Sequence, residues 1–258
     1  MALALVGGML QQGVPKTDVQ VIDVSAQARA RFAEMGIASH EMWDGQPSAD
    51  AIVFAVKPQQ LKNAVLSVKP QIASSLLISI AAGVRSSDIS RWLGEHTRIV
   101  RVMPNTPALI GAGVSGMFAT DGVGDADRKL AEKILGAAGK YIWFDDEKHL
   151  DAVTAVSGSG PAYVFYFIEA LEEAAMALDL DETVARTLAI ETFLGASRLA
   201  EESQDSPAAL RAKVTSKGGT TQRALEFMES MDVKSRVIEG VKQAARRARE
   251  LGEEFGND

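Results

Sequence analysis

The chain has 258 residues, 47% of them apolar, which is enough to fill the core of one large domain or two ordinary ones. A net charge of −7 argues against a general affinity for nucleic acid or anionic membranes. With no cysteine, the chain has no disulfide, thiolate metal site or cysteine nucleophile, and its composition fits a reducing cytoplasm.

The basic run Arg246-Arg247-Ala248-Arg249 sits among Glu250, Glu253 and Glu254, as on a solvated helix face. His40, His96 and His149 lie far apart, so no metal site is expected. No stretch approaches the roughly 20 apolar residues of a membrane span.

In chain order, Met1 to Gln12 reads as a buried helix closed by Gly13; it lacks the basic start of a signal peptide. The strand Val19-Gln20-Val21-Ile22-Asp23 follows and ends in an acid. Helix, strand and acid make the second half of a dinucleotide-binding βαβ unit, whose first strand and glycine-rich turn would lie upstream of Met1. Further strands are expected at Ala51–Val56, Leu76–Ala81, Ile99–Met103, Val114–Ala119 and Tyr141–Phe144, mostly as the short continuous apolar runs of strands covered on both faces. Helices are expected over Ser25–Met35, Gln59–Val68, Ser86–Leu93 and Asp125–Ala138. This alternation predicts a mostly parallel sheet with helices on both faces. After about Lys148 the pattern turns wholly helical: Pro161–Leu178, Asp181–Glu202, Pro207–Val214, Thr220–Met231 and Lys234–Leu251. The expected organisation is a dinucleotide-binding domain over residues 1–147 and a helical domain over 148–258.

Five segments carry chemical signals. Ala55-Val56-Lys57-Pro58 takes an apolar strand directly into a lysine and a helix-opening proline, at the sheet end where open α/β folds bind ligands. An ordinary strand exit reads the same way. Ala81-Ala82-Gly83 ends a strand in small residues that admit a flat ring or a close backbone. Met103-Pro104-Asn105-Thr106-Pro107 is a stiff loop presenting an amide and a hydroxyl, or a structural turn. Val156-Ser157-Gly158-Ser159-Gly160-Pro161-Ala162 leads into a long helix with backbone N–H groups near its positive end. In Val214-Thr215-Ser216-Lys217-Gly218-Gly219-Thr220-Thr221, hydroxyls and glycines crowd a helix start. It lacks the P-loop spacing and follows a helix, so it suits a carboxylate better than a triphosphate.

Taken in order, these segments resemble the pyrroline-5-carboxylate reductase family nearly end to end. The resemblance implies a Rossmann-like, mostly parallel α/β sheet lacking its first strand, then an all-helical domain that dimerises and in some members builds rings of dimers. It implies reduction of L-1-pyrroline-5-carboxylate to L-proline by NADPH or NADH, the last step of proline synthesis. Ser216, Gly218, Gly219, Thr220 and Thr221 would cradle the substrate carboxylate, with Thr221 near the ring nitrogen as the catalytic candidate. Ala55, Val56, Lys57, Pro58, Ala81, Ala82 and Asn105 would line the cofactor, and Asp23, Val24 and Ser25 would meet its adenosine ribose. Asp23 favours NAD, whereas Ser25 and Arg29 suit a 2′-phosphate. Lys217 stands where the family usually has proline. Without the glycine turn, weakened cofactor binding is expected. A 3-hydroxyacid-dehydrogenase-like enzyme, with Lys213 and Lys217 as the candidates for its catalytic lysine, and a non-catalytic oligomer are the competing readings.

Overall fold

The computed structural model describes residues 1–44, 46–72 and 75–256. The elements in chain order are α1 (Ala2–Gln11), β1 (Gln20–Ile22), α2 (Ala26–Glu34), β2 (Ala38–His40), β3 (Ala51–Phe54), α3 (Pro58–Ser67), α4 (Lys69–Ile72), β4 (Leu76–Ser79), α5 (Ser86–Trp92), β5 (Ile99–Met103), β6 (Gly113–Ala119), α6 (Asp125–Gly136), β7 (Gly139–Phe144), α7 (His149–Val153), a π-helical turn (Thr154–Gly158), α8 (Gly160–Met176), α9 (Glu182–Glu202), α10 (Pro207–Lys213), α11 (Thr220–Ser230) and α12 (Val233–Gly256).

The strands form a parallel pair, β1-β2, and a five-stranded sheet in the order β3-β4-β5-β6-β7. The latter is parallel except where β5 meets β6. β2 was not foreseen from the sequence: Ala38-Ser39-His40 has little strand character of its own and is held by its register with Gln20-Val21-Ile22. The antiparallel β5/β6 step was not foreseen either. Among the described residues β1 pairs only with β2 and β3 only with β4.

Every residue of β4 is buried, and alternate side chains leave opposite faces of the sheet. Leu76 and Ile78 join Leu5 of α1 with Ile134 and Leu135 of α6 in one core. Leu77 joins Leu61 and Val65 of α3 with Ile89 of α5 in the other. Val6 of α1 packs with Phe32 and Ile37 in a third cluster beside Val21 of β1. Helix α1 therefore contributes to the cores of both sheets. Close packing of α1 against the end of α6 requires Gly8, where a Cβ would overlap the Ala137 carbonyl.

Contacts divide the chain into two compact units, Met1–Ser159 with Ala244–Asp258, and Gly160–Gln243. This differs from a single boundary at Lys148 for a packing reason. Leu150 of α7 is fully buried, and Val153 presses on Gly116 of β6, so α7 stays with the sheet. The last turns of α12 return to it as well: Leu251 and Phe255 lie against Gly83, and Arg91 Nη2 donates to the Gly256 carbonyl at 2.8 Å. The helical unit consists of α8 to α11 and the first turns of α12. No helix among the described residues is long and apolar enough to cross a membrane.

Candidate active site

The C-terminal ends of β3, β4 and β5 frame a cleft of about 260 Å³ lined by Met1, Ala55, Val56, Ile80, Met103, Pro104, Asn105, Thr106 and Gly158. Its walls are mainly apolar, which suits a flat, weakly polar ring. It opens beside the first turn of α1, whose leading N–H groups have no intrahelical partner and so favour an anion. Apolar walls beside an anion-binding helix start fit a nicotinamide dinucleotide.

Three of the sequence-predicted cofactor residues, Ala55, Val56 and Asn105, line this cleft. Lys57 is exposed at the N-cap of α3, and Pro58 opens that helix, so both sit at the strand exit. Ala81 is buried and Ala82 half-buried, in the turn after β4. That turn is held tightly. Gly83 has φ +85°, a conformation that penalises any Cβ, and a Cβ there would also stand 3.2 Å from the Phe255 ring.

Asn105 does something other than present a free amide. Its Oδ1 accepts from the Val114 N–H at 2.9 Å, and its Nδ2 donates to the Ser157 carbonyl at 3.1 Å. The side chain is 9% exposed, with its amide spent on the backbone. It pins the loop after β5 to the π-helical turn and thereby fixes one wall of the cleft.

Asp23 and Ser25 follow β1. The Ser25 N–H donates to Asp23 Oδ1 at 2.8 Å, and Ser25 Oγ caps α2 by accepting from Ala28 N–H at 3.3 Å. Val24 between them is 81% exposed. Arg29, one turn into α2, donates to the Asp23 carbonyl at 2.7 Å.

In the helical unit, Gly218 has φ +75°, and its N–H donates to Gln222 Oε1 at 2.6 Å. The Gly219 N–H closes a turn on the Ser216 carbonyl at 3.1 Å. Both glycine donors are thus used inside the loop. The donors left for an anion are the first-turn N–H groups of α11, from Thr220 onward, and the hydroxyls of Ser216, Thr220 and Thr221. Gly219 is needed for closeness: a Cβ there would fall 2.5 Å from Ser216 Oγ.

Beneath the cofactor-side turn lies a polar cluster that sequence reasoning missed. Arg101 of β5 is 2% exposed and pairs with Glu147 at 3.0 Å. Glu147 also accepts from Ser86 N–H at 2.8 Å and Ser86 Oγ at 2.9 Å, and Arg85 pairs with Asp151 at 2.8 Å. Burial pushes the Arg101 guanidinium below its ordinary pKa, and Glu147 opposes that shift. The signal was present: a lone arginine inside the apolar run Ile99–Met103 needs a buried partner.

Comparison with known proteins gives a consistent family. The family model for pyrroline-5-carboxylate reductase dimerisation matches residues 147–251, and that for NADP oxidoreductase, coenzyme F420-dependent, matches residues 1–83. The pyrroline-5-carboxylate reductase of Pseudomonas aeruginosa is 39% identical over 99% of this chain and 95% of that protein. The enzyme of Pisum sativum is 38% identical over 97% of this chain and 92% of its own length. The chain belongs to the pyrroline-5-carboxylate reductase family. The solved structure of a family member from Coxiella burnetii superposes with a TM-score of 0.90 at 39% identity, covering 97% of this chain and 94% of that one. The Plasmodium falciparum pyrroline carboxylate reductase, solved with NADP bound, has a TM-score of 0.85 at 28% identity over 96% of this chain and 93% of its own.

Proposed function

We propose that this chain is the oxidoreductase that reduces L-1-pyrroline-5-carboxylate to L-proline with NADPH or NADH, acting as a homodimer. Family membership over almost the entire chain supports the reaction. The Ser216–Thr221 loop is the single observation that carries the substrate assignment: hydroxyls and unpaired helix-start N–H groups converge there, as a small carboxylate requires.

The chemistry asks little covalent work of the protein. The cofactor supplies a hydride to the C=N carbon of a protonated cyclic imine, whose nitrogen becomes the secondary amine of proline. The chain's part is to hold two rigid reactants and exclude water. In this reading Ser216, Thr220 and Thr221, with the N–H groups at the start of α11, bind the substrate carboxylate, while Gly218 and Gly219 give the loop its shape. The Thr221 hydroxyl meets the ring nitrogen as a hydrogen-bond partner. Its oxygen accepts from the iminium N–H and orients the ring; a hydroxyl is too weak an acid to have delivered that proton itself. Ala55, Val56 and the Ala81-Ala82 turn flank the nicotinamide, Lys57 and Pro58 stand at the phosphate side, and Asp23, Val24 and Ser25 hold the adenosine ribose. Asn105 supports the pocket wall. The cysteine-free composition supports the cytoplasm as the compartment.

A turnover assay tests this, following loss of reduced nicotinamide with pyrroline-5-carboxylate and, separately, with 3-oxoacids. Activity confined to the cyclic imine is expected, and activity confined to 3-oxoacids overturns the reading. Thr221→Val is expected to lower kcat/KM by about tenfold to a hundredfold, the range for losing one hydrogen bond to a charged group. Gly219→Ala is expected to raise KM for the imine. Turnover indifferent to both changes rejects the loop as the carboxylate site.

A further inference from the structure

The ends of β1 and β2 place three charged side chains together. The parallel register sets Ile22 opposite His40, so Asp23 and Glu41 are the residues immediately beyond the paired ends. The Asp23 N–H donates to the His40 carbonyl at 2.9 Å, which keeps the two exits side by side. Into this corner α2 delivers Arg29. One arm of its guanidinium, Nη1, is fixed on the Asp23 carbonyl at 2.7 Å; the other, Nη2, lies 3.6 Å from Glu41 Oε2. The corner therefore holds two carboxylates and one guanidinium, a net charge of −1.

The two nicotinamide cofactors differ only at the ribose 2′ position, a neutral hydroxyl in one and a phosphate near −2 in the other. The hydroxyl is a donor, and the Asp23 carboxylate, although one oxygen already accepts from Ser25 N–H, retains acceptor capacity for it. The phosphate needs a cation. Arg29 is the cation in place, but Glu41 shares it and offsets part of the charge it can offer a phosphate. We infer that Glu41, acting through Arg29, is the residue that sets the preference between NADH and NADPH, holding NADPH back. The inference rests on the placement of the adenosine ribose at Asp23–Ser25 proposed above. Glu41 is a positioning residue here: it need not touch either cofactor.

The test is direct binding, read by nucleotide fluorescence on the full chain with NADPH and NADH in turn, without substrate. Glu41→Ala is expected to lower the Kd for NADPH about three- to tenfold relative to that for NADH, since a part-exposed charge exerts only a modest influence. The gain should shrink as salt is raised to about 0.5 M. It should vanish in the Glu41→Ala/Arg29→Ala double variant, because the route runs through Arg29. Equal shifts for the two nucleotides, no shift, or a gain that survives loss of Arg29 overturns the inference and leaves the reductase reading standing. Binding of neither nucleotide by the unaltered chain overturns the inference together with the reductase reading on which it rests. Because Glu41 is 65% exposed at its side chain, its replacement leaves the fold intact.

Discussion

The two compact units bury their apolar side chains very differently. The sheet unit closes on itself: β4 is buried throughout, and Leu61, Val65, Ile89, Met117 and Leu135 are all sealed in. The helical unit does not. Among its described residues only Ala185 and Ala189 are buried, whereas Phe165, Tyr166, Leu188 and Phe227 are more than half exposed. A unit of four helices and part of a fifth that turns aromatic and aliphatic side chains outward is half of an interface. The dimerisation family matched over residues 147–251 provides the other half, a second copy of this chain. One region is thus stabilised by its own core, the other by assembly, and each can be disturbed without the other.

The largest effect is expected where assembly is attacked. The double change Phe165→Glu/Tyr166→Glu places charges on α8 at positions that are 64% and 68% exposed within one protomer. The sheet unit should keep its own core, yet a two-fold interface would meet the charges twice. A loss of about 4 kcal/mol of association, roughly a thousandfold in the dimer dissociation constant, is expected from two disrupted anchors. Sedimentation equilibrium reads it. An unshifted dimer would show that α8 does not carry the interface and would remove the contrast drawn between the units.

The second test strikes the sheet unit through its polar cluster. Glu147→Ala leaves the Arg101 guanidinium, 2% exposed, without its partner and deprives Ser86 of its acceptor. Removing one side of a buried pair costs about 3 kcal/mol, or on the order of a 10 °C fall in Tm. Replacing both partners, Arg101→Met with Glu147→Leu, is expected to recover most of that. If the double variant is as unstable as the single one, the loss reflects packing around β5 and not an orphaned charge. The effect should leave the dimer dissociation constant of the folded protein unmoved, which separates it from the α8 variant.

How much of this was legible in the sequence depends on whether the cause was local. The buried strands were readable because Leu76-Leu77-Ile78 and Ile99-Val100 are apolar whichever face they meet. The helical half was readable from its spacing. β2 was not, because Ala38-Ser39-His40 becomes a strand only by pairing with β1. At the site, the sequence singled out Asn105 as a presented amide. Its role as a brace depends on Ser157, 52 residues away, and on the backbone of Val114. The loop Ser216–Thr221 was visible as a helix start rich in donors. Which donors remain open was not, because that follows from Gln222 folding back on Gly218. Glu41 gave no signal at all; only the register of β1 with β2 brings it to Arg29.

The smallest effect concerns acid stability and sharpens the claim that the sheet unit is self-sufficient. Asp127 near the start of α6 accepts two hydrogen bonds from Arg98, at 3.0 Å to Nε and 2.6 Å to Nη2. These bonds hold its carboxyl below the ordinary range, outweighing the upward push of burial. Because the folded value is depressed, the pair's contribution is fully present above the unfolded pKa of about 3.9 and is lost as pH falls through the folded value. Tm measured from pH 6 down to pH 3 should therefore fall more steeply in the unaltered chain than in Asp127→Asn, which has no such proton to take up. At pH 7 the variant should be the less stable of the two, and the curves should converge toward pH 3. Parallel curves would mean that Arg98 and Asp127 contribute nothing dependent on charge. The bidentate geometry would then serve only to fix α6 beside β5.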